Sequence, residues 1–391
     1  MSFFYRCTEC DRRFEITPDL MVCPDCAGMQ EKGTPLRGLL EVEIDVNGRT
    51  AYSPPFPWPG ELLPVEAAHF PAIPVGNTPL WEPDRLRHDL DLPGLYLKDD
   101  TLNPTGSLKD RASVLVAAFA RKHGTPTVTV ASTGNAASSM AGIGAAAGLA
   151  VTIFVPENPP RAKLIQCLQY GAEVRKVDGP YDLAFQRSFD YVREHGGLNR
   201  NTGYNPLTIE GKKTAALEIF AQLGRMPDHI FVPVGDGVIL CGIYKGLRDL
   251  VKLGFARTVP TVWAVQAEGS NAVSRAVAAG GFDALDGGGS LPAQTLADSI
   301  SVGVPSAGRL AVKNIREHEG RCVQVSDDEI LAAQRQLASR SGLFAEPAAA
   351  ASLAGLLAAH DRIDPESTVV LLITGTGLKD IDSAERLVEV P

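Results

Sequence analysis

The stretch TVTVASTGNAASSMAGIGAAAGLAVTIFVP, residues 127–156, decides the fold. It opens and closes on short β-branched runs, and the alanine-rich segment between them has the composition of a buried helix. An apolar strand, a helix and a second apolar strand make a βαβ unit, whose parallel strands are covered on both faces. The pattern continues outward. VTIFVP (151–156) is followed by RAKLIQCLQYGA, and HIFVPV (229–234) by ILCGIYKGLRDLVKLG, while TVWAVQ (261–266) and TVVLLIT (368–374) extend the series. From about residue 76 the sequence therefore predicts an α/β architecture built on parallel sheets.

In such sheets ligands bind beyond the carboxyl ends of the strands. Three of those ends share a composition: Ser132-Thr133-Gly134-Asn135, Gly235-Asp236-Gly237 and Thr374-Gly375-Thr376-Gly377. Glycine permits close backbone approach, small hydroxyl and amide side chains orient a ligand, and a helix starting there points free N–H groups outward. Together they imply a polar, phosphate-bearing ligand. None matches the phosphate loop ending in Gly-Lys-Ser/Thr or the GxGxxG dinucleotide fingerprint.

The 391 residues carry 37 Lys and Arg against 46 Asp and Glu, a formal charge of −9, which argues against a nucleic-acid partner. Hydrophobic residues at 45% and charged residues at 21% fit a soluble globular protein rather than a disordered or disulfide-stapled chain. No run approaches the ~20 apolar residues of a membrane span. Arg6 and Cys7 stand where a signal peptide would be apolar, so the expected address is the cytoplasm, with no membrane partner.

Four of the seven cysteines fall at the start, in RCTECDRRFEITPDLMVCPDC. Cys7 and Cys10 form one Cys-x-x-Cys pair and Cys23 and Cys26 a second, 12 residues on. Two such turns brought together give four thiolates in the tetrahedral arrangement that suits Zn2+, and four sulfur ligands leave no open position, so the expected zinc is structural. A rubredoxin-type iron centre, or unligated or redox thiols, would use the same residues. Residues 1–33 are read as this ribbon, and 34–75 as a connecting arm that contains a strand, LLEVEIDV (39–46), and a proline-rich stretch without regular structure, YSPPFPWPGELLP (52–64).

LKDDTLNPTGSLKDRAS (97–113) carries the chemistry. Asn103-Pro104-Thr105-Gly106 reads as a turn that opens a helix, with Lys109 in its first turn. The electropositive helix start disfavours an ammonium there and favours the neutral amine needed for a Schiff base.

Asn103 through Arg111 resembles the lysine motif of fold-type II pyridoxal-phosphate enzymes, the tryptophan synthase β superfamily. More narrowly the chain is similar to the threonine synthases: GNTPL (76–80), the lysine segment, STGN (132–135), EGKKT (210–214), the glycine loop after PVG (233–235), EPAAAA (346–351) and TGTGLKD (374–380) follow in that family's order. Some members also carry an N-terminal zinc ribbon. The resemblance implies two doubly wound parallel-sheet subdomains in a catalytic domain over 76–391, the smaller one, about 113–200, inserted in the larger. It implies pyridoxal 5'-phosphate held by Lys109, which would also move protons at the substrate carbons. By position, Asn135 would bond the ring hydroxyl, the backbone amides of Gly235, Asp236, Gly237, Val238 and Ile239 would cradle the phosphate, and Thr374 would face the pyridine nitrogen. A hydroxyl there makes the ring a weaker electron sink, favouring elimination or replacement over transamination. Ser132 and Thr133 would receive the carboxylate of a small amino-acid substrate. Because members of this fold type are often dimers, a homodimer is the implied assembly.

Two features depart from that pattern. The arginine that usually lies two residues before the Glu-Gly of EGxKT is replaced by Thr208, so a bidentate clamp for a substrate phosphate is missing, with Lys163, Arg111 or Lys212 as candidate substitutes. The glycine loop is GDGVI, which places the Asp236 carboxylate near the expected phosphate, and TLADSISVGVP (295–305) resembles a loop of serine and threonine dehydratases as well. The leading expectation is a lyase making threonine and phosphate from O-phosphohomoserine and water. The alternatives are β-elimination or β-replacement on a hydroxy or phosphorylated amino acid, dehydratase-like or cysteate-synthase-like, and a non-catalytic interaction scaffold.

Overall fold

Residues 127–156 form the expected unit: Thr127–Ala131 and Ala150–Pro156 are parallel neighbours, and Asn135–Ala147 is the helix between them. The helix stops where Gly148 turns left-handed at φ 70°, a conformation that glycine adopts without a Cβ clash. The structure, a computed structural model, describes residues 1–46, 59–157, 161–179, 181–285, 291 and 293–387. In chain order the strands are β1 (Ser2–Cys7), β2 (Arg13–Phe14), β3 (Leu40–Asp45), β4 (Leu80–Trp81), β5 (Leu95–Asp99), β6 (Thr127–Ala131), β7 (Ala150–Pro156), β8 (Glu173–Val177), β9 (Leu198–Asn199), β10 (His229–Pro233), β11 (Thr261–Ala267), β12 (Arg321–Val325) and β13 (Val369–Ile373). The helices are α1 (Pro24–Ala27), α2 (Asp84–Leu90), α3 (Lys109–Lys122), α4 (Asn135–Ala147), α5 (Arg161–Gln169), α6 (Tyr181–His195), α7 (Leu207–Lys212), α8 (Thr214–Leu223), α9 (Val238–Lys252), α10 (Ala272–Ala279), α11 (Gly308–Glu317), α12 (Asp327–Ser341), α13 (Pro347–Ala359) and α14 (Ile381–Ala384).

Three sheets result among the described residues. The largest runs β12-β11-β10-β13-β5-β4, parallel except for the antiparallel edge pair β4 and β5. The second runs β8-β7-β6-β9 and is parallel throughout. Its strands lie in sequence between β5 and β10, both of the large sheet. Alternation along β10 divides the large sheet's two cores: Phe231 packs with Trp263, Leu371 and residues of α12 and α13, while Ile230 and Val232 pack with Leu240, Ile243 and Leu247 of α9. Every residue of β13 is fully buried, each large side chain contributing roughly 1.5–3 kcal/mol of burial.

The third sheet, β2-β1-β3, is antiparallel and belongs to the ribbon. The strand expected at 39–46 is β3, and its full pairing with β1 carries the ribbon's sheet past residue 33. Of the proline-rich stretch, residues 52–58 lie outside the described residues, and Pro59–Leu62 form one 3-10 turn. The ribbon shares its core with the catalytic body: Tyr5, Leu40 and Val42 join Val114, Leu115 and Phe119 of α3 in one apolar cluster. Arg248 and Lys252 of α9 pair with Glu41 and Glu43 of β3. No helix among the described residues is long and apolar enough to cross a membrane.

Candidate active site

The carboxyl ends of β10 and β13 and the starts of α3, α4, α9 and α13 converge on one cavity. Lys109, Asn135, Asp236, Ser299, Glu346 and Thr374 line it, together with Gly235, Gly237, Ile239 and Leu240. Lys109 is placed there by its neighbours: the Leu108 N–H donates to the Thr374 carbonyl at 2.9 Å, and Ser107 bridges Gly375, tying the start of α3 to the end of β13. The loop after β10 needs its glycines. A Cβ on Gly235 would lie 2.8 Å from the Ile300 Cα, and Gly237 has φ 84° with the Ala307 carbonyl 3.2 Å from where its Cβ would be.

Lys109 titrates below the ordinary lysine range, as expected, but the helix start is not the main cause. Burial contributes most; the Asp236 and Glu346 carboxylates oppose it, while Arg200 and Lys163 add to it. Asn135 donates Nδ2–H to both carboxylate oxygens of Glu346 at 2.9 and 3.0 Å, and its buried Oδ1 has no partner among the described residues. Glu346 is therefore a central member of the site that sequence reasoning assigned no role. Its signals in the sequence were its place at the head of EPAAAA and its position before Pro347, which starts α13; the Glu346 N–H donates to the Gly375 carbonyl at 2.9 Å.

Other expected residues stand differently. Asp236 Oδ1 accepts the Val238 N–H at 3.0 Å, so one of the expected cradle amides is engaged by this carboxylate. Ser132 and Thr133 are partly exposed on the loop before α4, and Ser132 Oγ accepts the Gly134 N–H at 3.1 Å. They and Lys163 are not among the residues lining the cavity. Lys163 is buried and paired with Asp298 at 2.8 Å; burial lowers its pKa, and Glu346 and Asp298 more than reverse this. Arg111 cannot serve as a substrate clamp: its guanidinium is fully buried and bonded to Asp100, Glu218 and Thr78. Lys212 is neither a surface charge nor an ion-pair member, being fully buried with no partner for Nζ among the described residues. Thr208, at the usual arginine position, serves its own loop, donating to the Asn205 carbonyl at 2.7 Å and accepting the Gly203 N–H at 3.1 Å.

At the other end of the chain, Cys7, Cys10, Cys23 and Cys26 bring four sulfurs within 4.8 Å of one another. Three of the four are buried, and Cys7 and Cys26 as well as Cys10 and Cys23 lie 3.7 Å apart. This clustering is what the paired spacing predicts for a closed tetrahedral site.

The family described as "Pyridoxal-phosphate dependent enzyme" matches residues 72–375. The chain belongs to the pyridoxal-phosphate-dependent enzymes. Within that family it is a threonine-synthase-like lyase. It is 34% identical over 402 aligned residues to the threonine synthase of Methanosarcina acetivorans, covering 100% of this chain and 95% of that protein. The threonine synthase of Halalkalibacterium halodurans is 37% identical over 338 residues, covering 84% and 90%. Among solved structures, a threonine deaminase from T.th. superposes with a TM-score of 0.65 at 25% identity, over 77% of this chain and 92% of that one. The fold is also that of an L-serine ammonia-lyase from Rhizomucor miehei, with a TM-score of 0.69 at 23% identity over 80% and 97%.

The cavity of this pyridoxal-phosphate-dependent enzyme has the donor set its cofactor requires. An amine of lowered pKa lines it, so does Asn135, whose buried amide oxygen has no partner among the described residues, and the 15-residue helix α9 starts at it behind a glycine loop that side chains would block.

Proposed function

We propose that the protein converts O-phosphohomoserine and water to threonine and inorganic phosphate. The observation that carries this reading is the joining of Lys109, Asn135, the 235–239 loop and Thr374 in one cavity, in a chain 34–37% identical to threonine synthases over most of its length. When bound, pyridoxal phosphate supplies an electron sink for the bonds at the substrate's Cα. The chain's own residues do the rest. Lys109 would hold the cofactor and, as a neutral amine, take protons from Cα and Cβ and deliver them to Cγ, as it becomes the methyl, and back to Cα, while water adds its oxygen at Cβ. Amides of Gly235, Asp236, Gly237, Val238 and Ile239 would bind the cofactor phosphate, and Asn135, positioned by Glu346, its ring hydroxyl. Thr374 offers the ring nitrogen a hydroxyl in place of a carboxylate. The substrate carboxylate would dock at Ser132, Thr133 and the start of α4, where the space beside Gly134 is open. Lys163, steadied by Asp298, is the cation assigned to the substrate's phosphate.

Thr208 favours a second reading, elimination or replacement at Cβ of a hydroxy or phosphorylated amino acid, because the site then needs no second phosphate clamp. One assay separates the two. Holoenzyme given O-phosphohomoserine should release threonine and phosphate in equal amounts. Keto acid from serine or threonine, without phosphate release from O-phosphohomoserine, would establish the second reading. No turnover of any of these would reject both.

For the ribbon we propose structural Zn2+ on Cys7, Cys10, Cys23 and Cys26. Metal analysis should find one zinc per chain, and iron in its place would overturn the assignment. Because the ribbon shares a core with α3, Cys23→Ser should lose the metal and lower the thermal midpoint of the whole chain rather than melt the ribbon separately.

A further inference from the structure

Lys212 is left over by the reading above. It ends α7, which is wedged between the first turn of α3 and the second of α9. A Cβ on Gly211 would lie 2.2 Å from the Arg111 carbonyl oxygen, and one on Gly242 would lie 2.6 Å from the Lys212 Cβ. The neighbouring Lys213 is consumed by Glu210 and Asp249, at 2.5 and 2.8 Å. Lys212 takes no part in that network: its amine is fully buried and meets no acceptor among the described residues. Burial, then Lys109 and Arg200, hold it well below the ordinary lysine range, with Asp236 and Cys241 acting in the other direction. An ammonium among those cations and beside the starts of two long helices requires a nearby anion.

Asp236 presents the opposite problem. Its carboxylate takes the Val238 N–H, a donor at the start of α9 that a bound phosphate would use. A phosphate in that loop would meet a like charge within its own cradle.

We propose that Lys212 and Asp236 act as a charge-compensating pair in the cofactor's phosphate site, Lys212 supplying the cation that lets the phosphate share the 235–239 loop with a carboxylate. The proposal rests on the reading of that loop as the phosphate cradle. Full-length protein stripped of cofactor, as wild type, Lys212→Met, Asp236→Asn and the double variant, is titrated with pyridoxal phosphate and with pyridoxal, which lacks the phosphate; thermal midpoints are recorded without either.

Lys212→Met should weaken pyridoxal phosphate binding about 10- to 100-fold, the range for a charge-assisted hydrogen bond, and leave pyridoxal binding within about twofold. Its cofactor-free form should melt at the same or a higher temperature, because an unsatisfied buried amine has been removed. Asp236→Asn in the Lys212→Met background should restore most of the affinity. Equal losses for both aldehydes, or an unchanged preference for the phosphorylated one, would overturn the pairing. So would a defect confined to KM for O-phosphohomoserine, which would move the anion to the substrate. If the wild type itself binds both aldehydes equally, the cradle reading fails instead.

Discussion

A Lys109→Ala variant should fold, lose the visible absorbance of the protein-bound cofactor and lose at least about 10³-fold in turnover. The size follows from two roles lost together, covalent attachment and proton transfer. The variant should still fold because what fixes the start of α3 is backbone: the bond from the Leu108 N–H to the Thr374 carbonyl and the bridge from Ser107 to Gly375. Removing an amine already disfavoured by burial does not break an ion pair of the core. Borohydride reduction of the wild-type holoenzyme followed by peptide mapping should place the pyridoxyl mass on Lys109. Label on another buried amine, such as Lys163, Lys212 or Lys379, would reject the assignment even if Lys109→Ala were inactive.

The sequence disclosed the strands buried on both faces, because an unbroken β-branched run such as VVLLI has no other stable place. It did not disclose β8 or β12. Their sequences, EVRKV and RCVQV, carry charged and polar residues to the sheet's margins, so each looks like surface loop until a neighbour pairs with it. The cysteine cluster was readable because its geometry is local, set by two tight turns, whereas the pairing of β3 with β1 is long-range. Within the site, Lys109, Asn135 and Thr374 were marked by strand-end composition and family resemblance. Glu346 was hidden because its meaning is tertiary: its partner Asn135 lies 211 residues away. Arg111 and Lys212 show the same limit. Whether a basic side chain meets solvent, a carboxylate or nothing depends on packing between distant elements, and no residue beside it in the chain records the outcome.

Arg111→Ala should be the most destabilising single change in the lysine motif, by roughly 3–5 kcal/mol, the range for breaking a buried ion pair by removing one partner. The guanidinium bonds Asp100 at 2.6 and 2.8 Å and Glu218 at 2.6 and 2.8 Å, and all three residues are almost inaccessible to water. Lys98 completes the cluster at 2.7 Å from Glu218, whose Oε1 also accepts the Asn77 N–H at 2.8 Å. The network thus fastens GNTPL, the lysine helix and α8 together. Without Arg111, Asp100 and Glu218 face each other with one lysine between them. Arg111→Lys should recover only part of the loss, since an ammonium cannot engage two carboxylates in the planar geometry seen here. The pH dependence provides an independent check. Burial alone would raise the Glu218 pKa, but Arg111 and Lys98 outweigh it and bring it from 4.5 down to about 2. A carboxylate depressed on folding contributes stability that is complete above its unfolded pKa and disappears as pH falls through the folded value. Denaturant midpoints should therefore decline between about pH 4.5 and pH 2 in the wild type. Glu218→Gln should be less stable at neutral pH and should flatten that part of the profile. An unchanged slope in Glu218→Gln would show that other carboxylates govern the acid transition, and a loss under about 1 kcal/mol in Arg111→Ala would show the cluster to be no stronger than a solvated surface pair.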